Sequence, residues 1–362
     1  MLSKFSDVSK LPADVEDIKL TATSIQPRLE TEKPTHMSSA IHLFKLAQLN
    51  SEIKYVLHSI SDEAPPYTYP NIPSVLQWQR GIAGRLKEWS DQIPQFTGDR
   101  IYMTKLCEIK YHSIMMLLMR PSPAIPSPSA DSLISCYESA VASIRVYDQL
   151  YKCNLLVYSW VAVHSIFLST LTMLHCIWTV PEVTAQIKLD VLMADLKAGS
   201  NVLSATGEHW SEAKRSRDVL DEISGTTVRW IIESRARNTD LGPRGGQLRR
   251  RAGYSGDNIN ANTSRLEDRL ARYPESPSLG GYEQAPEVGF NEPQELDASR
   301  NGNDFGLQFY TSLFGDENAS DQVDFTNSAT VSALMHRVFT DFEPMYDFGQ
   351  DFEMSQIMGG EL

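Results

Sequence analysis

From Ile41 to Ile231 the apolar residues of this chain return every three or four positions, and proline or glycine marks the breaks between the runs. A period near 3.6 buries one face of a helix, whereas a half-buried strand alternates with a period of two. No alternating segment bounded by turn residues occurs before position 238. The expected fold is therefore all-α, a multi-helix bundle of about eight helices joined by short loops.

The first run carries Ile41, Phe44, Leu46, Leu49, Ile53, Val56, Leu57 and Ile60 behind the N-cap candidates Ser38 and Ser39, and Pro65-Pro66 stops it. Ser74 can cap a second helix with the stripe Val75, Trp78, Ile82, Leu86 and Trp89. Asp99 can cap a third, with Tyr102, Leu106, Ile109, Ile114, Leu117 and Leu118 running down to Arg120-Pro121. Pro121, Pro123, Pro126 and Pro128 make a stiff, non-helical connection before Asp131 restarts a helix.

Leu155 to Trp178 is apolar almost throughout and long enough to span a bilayer. Ser159, His164, Ser165, Ser169, Thr170, Thr172 and His175 spread polar groups through it, which helix neighbours can satisfy and lipid cannot. It is read as the central helix of a bundle, apolar on all sides because it is surrounded, with no membrane partner. His164 and His175 lie near one face but lack a third ligand at i+3 or i+4, so they read as hydrogen-bonded core histidines and not as a metal pair.

Composition divides the chain into four parts. Residues 1–36 are a polar arm with Pro12, Pro27 and Pro34 and no sustained period. Residues 37–238 hold the helices. Residues 239–300 are a Gly/Pro/Arg linker, read as disordered, in which Arg244, Arg249, Arg250 and Arg251 form a candidate nuclear-localisation patch or a solvated linker. Residues 301–362 interleave Asp and Glu with Phe and Tyr, and Arg337 is the one cation there. Such acidic-aromatic alternation marks a disordered activation segment, whose acids hold the aromatics in water until a coactivator groove takes them. Phe339, Phe342 and Tyr346 would share one face of an induced helix and are the candidate anchors. Docking of this tail on the chain's own bundle is the rival reading.

The formal net charge of -13 opposes direct binding of duplex DNA by this chain through phosphate neutralisation. Cys107, Cys136, Cys153 and Cys176 are too widely spaced for a zinc site and read as buried, reduced thiols. No phosphate loop, dinucleotide fingerprint, HExxH or nucleophile elbow occurs, so neither catalytic nor cofactor-binding residues are assigned and the chain is not read as an enzyme.

Several stretches, taken in order, carry a resemblance: L-P-A-D-V-E-D (11–17), A-I-H-L-F-K-L-A-Q-L-N-S-E-I (40–53), L-K-E-W-S-D-Q-I-P (86–94), Y-H-S-I-M-M-L-L-M-R-P-S-P (111–123), S-C-Y-E-S-A (135–140) and E-H-W-S-E-A-K-R-S-R-D (208–218). The ordered set resembles the helical regulatory region of fungal zinc-cluster transcription factors, the "fungal-specific transcription factor domain". The resemblance implies a nuclear transcription regulator, with many relatives controlling a biosynthetic, secondary-metabolite gene cluster. The family's six-cysteine zinc cluster does not occur in these residues. The implied partners are therefore a coactivator or other transcription factors, with homo- or heterodimerisation open. The alternative is a helical effector- or partner-binding module without transcriptional output.

Overall fold

The computed structural model describes residues 11–21, 24–29, 31–58 and 74–240. Among them are eight α-helices: α1 His36–His58, α2 Val75–Asp91, α3 Ile101–Met119, α4 Ala130–Lys152, α5 Trp160–Thr179, α6 Pro181–Gln186, α7 Leu189–Gly207 and α8 Ser211–Asp240. No strand forms among the described residues; two isolated bridges join Leu20 to Ile25 and Ser122 to Ile125. The architecture is all-α. The chain divides into two compact units, the first ending at Ser135 and the second starting at Cys136, so the boundary cuts α4 where the sequence pattern gives one continuous helical region.

In the first unit α1, α2 and α3 pack on one another. Leu46, Ile53 and Leu57, Ile82 and Leu86, and Leu118 are all 0–1% exposed, as a 3.6-residue apolar period requires. Phe44, expected on the α1 stripe, is instead 48% exposed, because the face set by Leu46, Leu49, Ile53 and Leu57 turns it outward. Ser74 caps α2 as expected, accepting from the Gln77 amide at 3.3 Å. Asp99 lies in the short 3₁₀ turn ahead of α3, and Ser129, two positions before the expected Asp131, takes the capping position of α4 by accepting from the Ser132 amide.

The start of α1 ties down described parts of the polar arm 1–36. Ser38 and Ser39 lie inside the first turn, and the cap is Thr35. Thr35 Oγ1 accepts from the Ser38 amide while Ser38 Oγ accepts from the Thr35 amide, a reciprocal capping box. Both hydroxyls donate to the Asp14 carboxylate, which also takes the Arg28 Nε–H at 2.8 Å. Burial alone would raise the Asp14 pKa; the Ser38, Thr35 and Arg28 hydrogen bonds outweigh it and hold the carboxyl below its ordinary value. Residues 11–35, as far as they are described, are thereby tied to the first unit.

In the second unit α5 packs against α7 and α8, and α7 against α8. The helix starts at Trp160, five residues later than the apolar run, because Ser159 caps it by accepting from the Ala162 amide. It is long and apolar enough to cross a bilayer, yet 67% of its most apolar window is buried. Its neighbours come close at small residues: Ser169 Oγ donates to Ser143 Oγ of α4 at 2.9 Å, and a Cβ at Gly199 of α7 would sit 2.9 Å from Thr170 Oγ1. Phe167 is fully buried at the centre of α5. Phe167→Ala is expected to cost about 3–5 kcal/mol, read as a lowered urea midpoint of the full chain. A cost below about 1 kcal/mol would show that the site is not packed as described.

Candidate functional site

The sequence elements that carried the resemblance prove to be joints of the fold. His42 of α1 stacks on Trp89 of α2, ring centroids 4.1 Å apart, and the Trp89 indole N–H donates to the His42 carbonyl at 2.8 Å. Burial, then the charge of Lys45, pushes the His42 imidazole down to about 4. Glu52 of the same helix accepts from the Trp78 indole and from Arg85. The Arg120-Pro-Ser-Pro run ends α3: Arg120 is 1% exposed, and Ser122 and Ile125 exchange both backbone hydrogen bonds across a turn with Pro123 at its second position. Gln79 donates to the Leu118 carbonyl at 2.8 Å just before it.

In the second unit the Glu208-His-Trp run forms the corner between α7 and α8. The Trp210 indole donates to the Tyr158 carbonyl, and the Tyr158 and His209 rings lie 4.7 Å apart. A Cβ on Gly207 would fall 2.6 Å from Lys214 Cγ, so a glycine ends α7 where α8 passes close by.

One polar joint has no local signal in the sequence. Arg145 of α4 and Asp195 of α7 form a bidentate pair at 2.8 and 3.0 Å, 9% and 5% exposed. Tyr137 lies in their field; burial first, then the Asp195 charge, holds its phenol above the ordinary value. The pair is fifty positions apart in sequence, which hides it from any motif search.

The pairings Ser200–Asp221 and Ser204–Arg217 show that α7 and α8 run antiparallel. Between them opens a groove of about 710 Å³, with Asp190, Met193, Ala194 and Lys197 on one side and Ser224, Gly225 and Val228 on the other. Asp190, Met193, Ala194 and Lys197 recur at i, i+3, i+4 and i+7 and are all exposed. The Met193 side chain stands 50% in solvent, and Ile232, one turn beyond Val228, is 49% exposed.

The candidate activation residues Phe339, Phe342 and Tyr346 and the candidate localisation residues Arg244, Arg249, Arg250 and Arg251 lie outside the described residues. Cys107, Cys136 and Cys176 are buried; Cys153 is exposed, against expectation, because α4 ends at Lys152 and the chain turns there through Asn154 at φ 54°. The Cys136 and Cys176 thiols sit side by side, and that contact together with burial holds Cys176 well above the ordinary thiol value. Burial pushes His175 down to about 4, and His164 lies against Trp160 with ring centroids 5.8 Å apart. Among the described residues no three His, Cys, Asp or Glu side chains come together as a metal site.

No protein-family model and no solved structure matches the chain significantly. It is similar to a positive regulator of purine utilization from Emericella nidulans, 26% identical over 275 aligned residues that take in 65% of this chain and 26% of that protein. It is also similar to the negative regulator of pleiotropic drug resistance STB5 of Candida glabrata, 31% identical over 33% of this chain and 12% of that protein. The protein STB5 of Saccharomyces cerevisiae is 28% identical over 33% of this chain and 16% of that protein. The matched part of the chain thus spans about a quarter or less of the length of these relatives. The homologues are fungal regulators, in line with the resemblance to fungal transcription regulators, and they are not enzymes.

Proposed function

We propose that this chain is a transcription regulator of the fungal zinc-cluster type that works in the nucleus through protein partners. The similarity to a fungal positive regulator across 65% of the chain carries this reading. Two features support it: a helical body whose motif residues serve as joints between helices, and an acidic-aromatic segment from 301 to 362. The four cysteines of these residues cannot supply a six-cysteine cluster, so we assign base recognition to a partner or to a separate zinc-cluster segment. By the sequence resemblance, its targets would be the genes of a biosynthetic cluster.

In this reading the 301–362 segment activates by presenting Phe339, Phe342 and Tyr346, at i, i+3 and i+7, to a coactivator groove. Burying two or three such rings at about 1.5–3 kcal/mol each, less the ordering cost, gives fast contacts in the micromolar range. Fused to an unrelated DNA-binding domain, the segment is expected to drive a reporter. Replacing the three aromatics by Ala should remove most of that output, and replacing three acids by Asn should weaken it less. A silent wild-type segment, or an aromatic variant as active as wild type, refutes the activation reading. The groove between α7 and α8 would then favour a partner-binding module without transcriptional output.

A further inference from the structure

The exposed side of α7 has a symmetry that its own unit does not use. Asp190 and Lys197 lie seven positions apart, about 10 Å along the helix, too far to pair with each other. Neither makes an ion pair with another described residue. Midway between them stand Met193 and Ala194, one long apolar side chain and one short one.

A two-fold axis passing between Met193 and Ala194 sets α7 antiparallel to a second α7. Position 190 then faces position 197 of the other copy, and 197 faces 190, because both are equally distant from the axis. The same operation sets Met193 of each copy over Ala194 of the other. The groove floor has room for it: a Cβ added at Gly225 would meet nothing within 4 Å. Val228 and the exposed Ile232 extend the apolar surface along α8.

We propose that the α7–α8 groove is a homodimer interface, closed by a second copy of this chain through two reciprocal Asp190–Lys197 ion pairs about Met193 and Ala194. Charge complementarity favours this occupant over the chain's own 301–362 segment. Asp190 and Lys197 both line the groove, and a second copy offers each of them its opposite charge at the matching position. The 301–362 segment carries many acids and Arg337 as its one cation, so it offers Asp190 a single partner and sets its acids against Asp190 and Asp221. The contact covers about two turns of α7, at the small end of protein interfaces, so the dimer is expected to be weak, with a Kd of tens of micromolar.

The test is sedimentation velocity on the full chain at low salt. Wild type should shift from monomer to dimer between about 1 and 200 µM. Asp190→Lys and Lys197→Asp each place two like-charge pairs in the interface, and each should weaken dimerisation at least about tenfold. Mixed in equal amounts, the two variants restore both pairs. Each lysine of one variant then faces an aspartate of the other across the axis, and the mixture should dimerise about as well as wild type. Both positions are exposed, and recovery in the mixture shows that the variants are folded. A wild-type chain that stays monomeric overturns the proposal. So does dimerisation that neither variant changes, a mixture that does not recover, or a cross-link from Lys197 to residues 301–362 within a monomer.

Discussion

Lowering the pH from 7 to 5 is expected to cost the first unit about 4 kcal/mol and the second about 2 kcal/mol. The cause is burial of neutral imidazoles. His42 is pushed down to about 4, with burial the main cause and Lys45 adding to it; His112 is pushed down to about 3 by burial; and His175 is pushed down to about 4 by burial. In the unfolded chain each takes a proton near pH 6.5, and the folded chain refuses it. The unfolded state therefore binds more protons between pH 6.5 and about 4, and stability falls as the pH falls through that window. At pH 5 each histidine contributes about 2 kcal/mol of the loss. Urea midpoints at pH 7 and pH 5 measure it, and His112→Gln should remove roughly half of the dependence of the first unit. Equal midpoints at the two pH values would refute the account.

Breaking the Arg145–Asp195 pair one partner at a time is expected to cost about 3–5 kcal/mol, because the remaining charge stays buried without its counter-ion. Asp195→Ala and Arg145→Ala test this by urea unfolding of the full chain. The double variant Arg145→Met with Asp195→Leu removes both charges and refills the space, and should lie within about 1 kcal/mol of wild type. Single variants as stable as wild type would mean that the pair is solvated. The pair also fixes the rotation of α7. Asp195 points inward, so Asp190, Met193, Ala194 and Lys197 must point outward.

The parts of this fold that were legible in the sequence are those governed by local periodicity. Leu46, Ile53 and Leu57, or Ile82 and Leu86, declare their burial within a few turns of one helix, and Ser74 announces a helix start from its own position. What escaped was set by partners distant in the chain. The capping hydroxyls of α1 depend on Asp14, more than twenty positions upstream, and the α4–α7 joint depends on two charges fifty positions apart. The groove escaped for another reason. An exposed Asp190, Met193, Ala194 and Lys197 stripe has the period of a helix but not its hydrophobicity, so it reads as a solvated face until α8 is placed beside it.

The Asp14 clasp makes the N-terminal segment a latch with its own release condition. Three side chains converge on one carboxylate and close chain loops of 14, 21 and 24 positions. Closing loops of that size takes only a few kcal/mol of chain entropy, comparable to what a few hydrogen bonds to a charged group return. The latch is complete above the ordinary carboxylate range and lost as the pH falls through the lowered Asp14 value. Detachment is therefore a local event, separable from loss of the helical core, and it would free the described backbone around Asp14 and Arg28 without unfolding α1.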